Sequence, residues 1–108
     1  MGESMKTTGD VIFRARDLAG VKAHYAGTLG LPIVLDTESM VGFETGALTF
    51  YFERGEPDGA VFEFTVDDVE HAKADLIADG CTLVEENPGV PRVYLRDPFG
   101  VVFNITPR

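Results

Sequence analysis

The chain has 108 residues, of which 44% are hydrophobic and 25% charged, the composition of one ordinary globular domain. Its formal net charge is −9, and residues 55–108 carry 11 acidic against 4 basic side chains. This acidic balance argues against binding to nucleic acid or anionic membranes, because neutralising phosphate requires Lys and Arg. No apolar run is long enough to span a bilayer, and the single cysteine, Cys81, excludes an internal disulfide and indicates a cytoplasmic protein.

The first half of the chain predicts the element order β-α-β-β-β. Residues 1–9 show no periodic pattern and are predicted to form a disordered tail. Apolar side chains alternate over residues 10–15, which predicts a strand with one buried face. Asp17 is a typical N-cap for the helix that follows, and Gly30 is a typical helix end. Three short strands are then predicted at residues 33–35, 40–43 and 47–52.

The second half repeats this order after a polar linker at residues 54–60. A strand is predicted at residues 61–66, followed by a helix that begins after Asp67 or Asp68 and ends at Gly80. Three further strands are predicted at residues 82–84, 93–95 and 101–105.

The two halves align as an internal repeat. A shift of 51 residues superposes the first strands and the helices, and a shift of 54 superposes the last strands from Gly46 and Gly100 onward. The sequence therefore predicts an α+β fold of two tandem βαβββ modules, module one at residues 10–54 and module two at residues 61–106, in a single domain spanning 10–108.

This arrangement resembles the vicinal oxygen chelate superfamily, which includes glyoxalase I, extradiol dioxygenases, fosfomycin-resistance enzymes and bleomycin-resistance proteins. The resemblance covers residues 10–106 and includes an Asp-Pro-x-Gly turn at residues 97–100. The other matching segments are residues 16–18, 24–25, 29–32 and 64–69. The resemblance implies that the two modules form a cupped, open mixed β-sheet barrel with the helices outside.

In metal-dependent members of the superfamily, the first and last strands of each module supply the ligands. The resemblance places these positions at Asp10, Phe50, Val61 and Asn104. Two of them are hydrocarbon side chains, which cannot ligate, and Asn offers only a neutral carbonyl. The two histidines, His24 and His71, fall on the exposed sides of the predicted helices. The sequence therefore predicts neither a metal nor another cofactor.

Strand alternation within this fold predicts an apolar site with a few polar groups, as is usual for small-molecule sites. Its predicted lining is Asp10, Ile12, Arg14, Leu48, Phe50, Phe52, Val61, Glu63, Val102 and Asn104. Glu63 is a charge on an otherwise apolar strand, so it either pairs with Arg14 or acts on a ligand. Glu63 and Asp10 are the candidate catalytic groups, as general bases; the alternative for Asp10 is that it only begins its strand.

These features favour a metal-free small-molecule-binding protein of the glyoxalase/bleomycin-resistance type, which would sequester an apolar or cationic ligand. The alternative is a glyoxalase-like enzyme (a lyase, isomerase or dioxygenase) with an atypical metal site or metal-free acid–base chemistry. The sequence leaves open whether the protein is an enzyme. We also expect a homodimer, because a small chain with apolar sheet faces buries little surface alone.

Overall fold

The computed structural model describes residues 5–90 and 92–108, and it confirms the α+β class and the tandem βαβββ order. The chain divides into two compact units. Module one comprises Gly9–Ala60, and module two comprises Val61–Arg108 together with residues 5–8. None of the helices in the described part of the chain is long and apolar enough to cross a membrane.

Module one is a mixed four-stranded sheet with a helix on one face. The Asp17 side chain caps this helix by accepting a hydrogen bond from the Gly20 N–H at 3.0 Å, as the sequence predicts. The strand order is β2-β3-β4-β1, in which β1 and β4 are parallel and the other pairs antiparallel. Its elements are β1 (Lys6–Ala15), α1 (Leu18–Lys22) with a π-helical continuation (Ala23–Thr28), β2 (Ile33–Asp36), β3 (Met40–Glu44) and β4 (Thr49–Arg54).

Module two repeats this design with the strand order β5-β8-β7-β6, in which β5 and β8 are parallel. Of the two predicted caps, Asp68 performs the role, since it accepts from the His71 N–H at 3.0 Å. Its elements are β5 (Val61–Val66), α2 (Val69–Ala78), β6 (Thr82–Asn87), β7 (Arg92–Arg96) and β8 (Val102–Pro107).

The first strand begins earlier than the sequence predicts. Residues 6–9, assigned to a disordered tail, belong to β1, while residues 1–4 lie outside the described part of the chain. Met5 packs against the core of module two, and the Lys6 carbonyl accepts a hydrogen bond from the Thr65 hydroxyl at 3.3 Å. Gly9, where module one begins, has φ 86°, a conformation that favours glycine.

Each module buries its core between its helix and one face of its sheet. The module-one core centres on Leu18, Val41, Phe43 and Phe52. The module-two core centres on Val66, Ala72, Val93, Leu95, Phe103 and Ile105. Because successive strand residues point to opposite faces, the residues between these core positions lie on the face opposite the module's own helix, here called the open face.

Candidate ligand site on the open sheet faces

Three neighbouring strand positions form the centre of each open face. In module one, Ile12 on β1 lies beside Tyr51 on β4, which lies beside Gly42 on β3. In module two, the equivalent neighbours are Glu63 on β5, Asn104 on β8 and Tyr94 on β7. We call these two sets the central triplets. They show which residues occupy equivalent positions in the repeat.

The prediction that Phe50 and Phe52 share a face with Asp10, Ile12 and Arg14 is wrong. Both rings contact Phe13 on the helix side, with ring centroids 5.2 and 4.9 Å away, and they belong to the module-one core cluster. Tyr51 occupies the open face between them.

The error has a physical cause in the turns that precede the last strands. In module one the Thr45 N–H donates to the Leu48 carbonyl, whereas in module two the Asp97 N–H donates to the Val101 carbonyl. The second turn is therefore one residue longer. The equivalent of Asn104 is Tyr51, a shift of 53 rather than 54. A one-residue change of register moves every side chain to the opposite face.

Asn104 is the most strongly constrained polar side chain of the open faces. It is only 5% exposed, and its Oδ1 accepts a hydrogen bond from the Val93 N–H at 2.8 Å. Its Nδ2 donates to Oε2 of Glu63 at 3.0 Å. Because a backbone N–H can only donate, this contact identifies the amide oxygen and directs the NH2 group to Glu63. The network thus fixes the half-buried Glu63 carboxylate in one place.

Arg14 and Glu63, which the sequence allows to pair, each have a partner within their own module. Arg14 forms an ion pair with Glu53, its neighbour across β1 and β4, at 3.2 Å. Both side chains are about a quarter exposed. Glu63 is bound to the neutral Asn104 amide, so its charge is not matched by that partner.

Tyr94, the third member of the module-two triplet, carries a second polar group through its contact with Arg92. Tyr94 is 4% exposed, and the Arg92 guanidinium lies 4.9 Å from its ring centroid. Arg92 also pairs with Glu85 at 3.1 Å. The cation is therefore held by an aromatic face and a carboxylate on the neighbouring strand.

The module-one open face is built around a ring instead of a hydrogen-bonded amide. A Cβ placed on Gly42 would lie 2.8 Å from the Tyr51 ring and 3.2 Å from the Leu35 Cβ. Glycine at this position therefore leaves the space that the Tyr51 ring fills. At the strand ends, the Thr49 hydroxyl donates to Glu44 at 3.4 Å, and Asp10 is half-buried beside Thr49.

The remaining predicted site residues are distributed between the modules. Leu48 is 40% exposed in the turn before β4, Val61 is buried at the start of β5, and Val102 is half-buried at the start of β8. His24 and His71 are exposed on the helical segments, as predicted. Tyr51 and Tyr94 were absent from the predicted lining. Comparing the two turn lengths would have placed Tyr51 on the open face.

The residues at the superfamily's metal positions do not fit a metal. The observed register gives the module-one position to Tyr51, which offers a phenol in place of the usual carboxylate or imidazole. Val61 and Phe50 have no donor atom, and Phe50 lies in the core. The Asn104 oxygen is already bound to the Val93 N–H. Within residues 5–90 and 92–108, no group of three or more His, Cys, Asp or Glu side chains is arranged to hold an ion. We therefore derive no chemistry through a metal at this site.

Comparison with known proteins tests the family resemblance that the sequence suggested. No curated protein matches the sequence. A hypothetical protein from Bacillus halodurans C-125 is 14% identical with a TM-score of 0.69, covering 98% of this chain and 96% of that one. A glyoxalase/bleomycin resistance protein/dioxygenase superfamily member from Vibrio splendidus 12B01 is 16% identical with a TM-score of 0.67, covering 94% and 97%.

A third similar structure is a variant of homoprotocatechuate 2,3-dioxygenase from B. fuscum, 17% identical with a TM-score of 0.70. It covers 99% of this chain but 33% of the dioxygenase. At these identities the structures establish a shared fold. The model of the glyoxalase-like domain family matches residues 10–106, nearly the whole sequence. The chain therefore belongs to the glyoxalase-like domain family, within the vicinal oxygen chelate superfamily.

Proposed function

We propose that this protein binds a small organic molecule, apolar or cationic, on an open sheet face without a metal, in the manner of a bleomycin-resistance protein. The Asn104 network is the observation that carries the proposal. At a position where metal-dependent superfamily members ligate, the amide is bound to Val93 and Glu63 instead. A buried side chain whose own hydrogen bonds hold a neighbouring carboxylate is typical of specificity groups in small-molecule sites.

The composition of the open faces supports an apolar or cationic ligand. On the module-one open face the Tyr51 ring provides half-buried aromatic surface for an apolar ligand, and on the module-two open face Glu63 provides a negative charge, bound to a neutral amide, for a cationic ligand. The net charge of −9 raises the local concentration of cations and speeds their capture. Sequestering a toxic compound in the cytoplasm, as in antibiotic resistance, is the role we propose for such a site.

A thermal-shift screen of organic ligands with and without EDTA tests the proposal. We expect ligands that raise the Tm equally in both conditions, because bound ligand stabilises by RT ln(1 + [L]/Kd), about 2.7 kcal/mol at 100 times Kd. Stabilisation that requires added zinc, nickel, manganese or iron would contradict the proposal. So would turnover of the methylglyoxal–glutathione hemithioacetal, which would instead indicate the glyoxalase-like enzyme.

We further propose that the protein is a homodimer, with β2 of module one at the interface. This outer strand and the segment before it expose Leu29, Ile33 and Val34 by 53%, 44% and 53%. An exposed apolar edge strand favours pairing with another chain. Light scattering should give twice the monomer mass of 11.7 kDa, and Val34→Asp should dissociate the dimer. Ile77→Asp on α2, 45% exposed, is the control that should leave it intact.

A further inference from the structure

We propose that Glu63 selects ligands that carry a protonated nitrogen with N–H bonds, namely a primary ammonium or an amidinium, over quaternary, neutral and anionic analogues. The inference rests on the proposed function, because it names the chemical class of ligand bound at the module-two open face. It assigns the contact to one atom, Oε1 of Glu63.

The first step is the rigid placement of the carboxylate. Asn104 cannot exchange its amide oxygen and nitrogen without leaving the buried Val93 N–H unsatisfied, which is costly. Its NH2 group therefore stays directed at Glu63, where it donates to Oε2. A carboxylate held in this way does not have to be ordered when a ligand arrives, so less entropy is lost on binding.

The second step concerns the other carboxylate oxygen. Oε1 of Glu63 accepts no hydrogen bond from the residues that the structure describes. An ionised carboxylate is an acceptor only, so any group that bonds to Oε1 must be a donor. A charged donor gives a shorter and stronger hydrogen bond than a neutral donor.

The third step is the charge balance around Glu63. Arg92, two residues before Tyr94 on β7, is bound to Glu85 and to the Tyr94 ring. The bonded partner of Glu63 is the neutral Asn104 amide, so a cationic ligand supplies the charge that this amide cannot.

Directionality then separates two kinds of cation. A primary ammonium can place an N–H on Oε1 at hydrogen-bond distance. A trimethylammonium group carries the same charge but has no N–H, and its methyl groups keep the nitrogen away from the oxygen. The selection we infer is therefore for the donor as well as for the charge.

The test uses four probes of one framework, namely benzylamine hydrochloride, benzyltrimethylammonium chloride, benzyl alcohol and sodium benzoate. The full-length ¹⁵N-labelled protein is titrated with each at neutral pH and low salt, and the Asn104 side-chain NH2 and Val93 amide signals are followed. We expect benzylammonium to bind about tenfold more tightly than the other three, the contribution of one charge-assisted hydrogen bond. Glu63→Gln should remove this preference.

The control variant is Asp58→Asn, which removes the same charge from an exposed loop and should keep the preference. Equal binding of benzylammonium and benzyltrimethylammonium, or of benzylammonium and benzyl alcohol, overturns the inference and leaves the proposed function standing. Tightest binding of benzoate also overturns it. If no probe shifts any signal of either module, the proposed function fails as well. The four probes decide the matter on the wild-type protein even where Glu63→Gln does not fold.

Discussion

The two modules share one backbone plan but carry different chemistry at the same three open-face positions. Module one has an apolar side chain, a ring and a glycine, in Ile12, Tyr51 and Gly42. Module two has a carboxylate and an amide in Glu63 and Asn104, and its ring, Tyr94, lies one strand further along. The strand register sets where side chains are displayed, and substitution at those positions sets what they do.

The helix-side faces differ much less. Phe43 and Leu95 occupy equivalent places on β3 and β7, and both are fully buried. Their neighbours Val41 and Val93 are also equivalent and buried. The helix-side positions of each sheet hold the fold together, and the open-face positions are available for ligand chemistry. The predictions below test this division.

The largest effects should come from the helix-side core. Phe43→Ala should lower the free energy of unfolding by about 3–5 kcal/mol, because it removes a ring that contacts Tyr25 and Phe52. Leu95→Ala should cost about 2–5 kcal/mol in module two. Ile77→Ala, at a 45% exposed position on α2, should stay within about 0.5 kcal/mol of wild type. Urea unfolding followed by circular dichroism measures the free energy of unfolding of all three variants. A Phe43→Ala variant as stable as wild type would contradict the assignment of Phe43 to the core.

The open face of module two should give the next largest effect. Asn104→Leu removes the bonds to Val93 and Glu63 and should cost about 1–3 kcal/mol, since it leaves a buried N–H unsatisfied. Thr106→Val, a half-buried change on the same strand, is the control.

Replacing the Asn104 amide by a carboxylate tests the same contact with Glu63. Asn104→Asp keeps an acceptor for the Val93 N–H but sets a second carboxylate against Glu63, so it should also destabilise. Adding Glu63→Gln should restore most of the loss, because the glutamine amide then donates to the aspartate. Unfolding free energies of the two single variants and the double variant complete a double-mutant cycle. If the stability changes of the two single variants simply add in the double variant, a direct contact between residues 63 and 104 is contradicted.

Much of the fold could be predicted from the sequence because its signals are local. Alternating apolar residues located β5 at Val61–Val66 without error, and Asp17 marked a helix start through its capping oxygen. The internal repeat then fixed the order of the elements. These signals depend on neighbours a few residues apart, which the sequence displays directly.

The site was harder to predict because it depends on pairing between distant strands. Phe50 and Phe52 were assigned to the wrong face, since aligning the turn glycines ignored one extra residue between Asp97 and Val101. The partner of Arg14 also followed from register, because Glu53 lies directly across the parallel pair. Neither fact is visible in the local pattern of either segment.

Glycine at position 42 offers a smaller test of the contrast between the triplets. Gly42→Ala should cost about 1–3 kcal/mol, because the new Cβ would press on the Tyr51 ring and the Leu35 Cβ. Tyr51→Ala in the same chain should relieve most of that cost. Gly27→Ala, a helical change with open space around it, should stabilise by about 0.4–1 kcal/mol. A Gly42→Ala protein as stable as wild type would show that the ring moves freely.

The smallest effect concerns Cys81, which occupies the place that Leu31 holds in module one. Each residue follows its helix, bonds back to it through its N–H and packs against its own core. Burial raises the pKa of the Cys81 thiol, and the negative charges of Asp97 and Asp79 raise it further. The thiol should therefore react with DTNB more slowly at pH 8 than in the chain unfolded by guanidinium, because less thiolate is present.

The charge contribution can be isolated because asparagine keeps the turn that Asp97 forms. Oδ1 of Asp97 accepts from the N–H groups of Phe99 and Val101, and an amide oxygen can do the same. Asp97→Asn should therefore lower the pKa of Cys81 and speed the reaction, whereas Asp58→Asn should not. Because the folded pKa exceeds the unfolded one, the unfolded chain releases this proton first, and stability falls as the pH rises past the ordinary thiol value. Cys81→Leu should remove that part of the alkaline decline, and an unchanged decline would assign it to other groups.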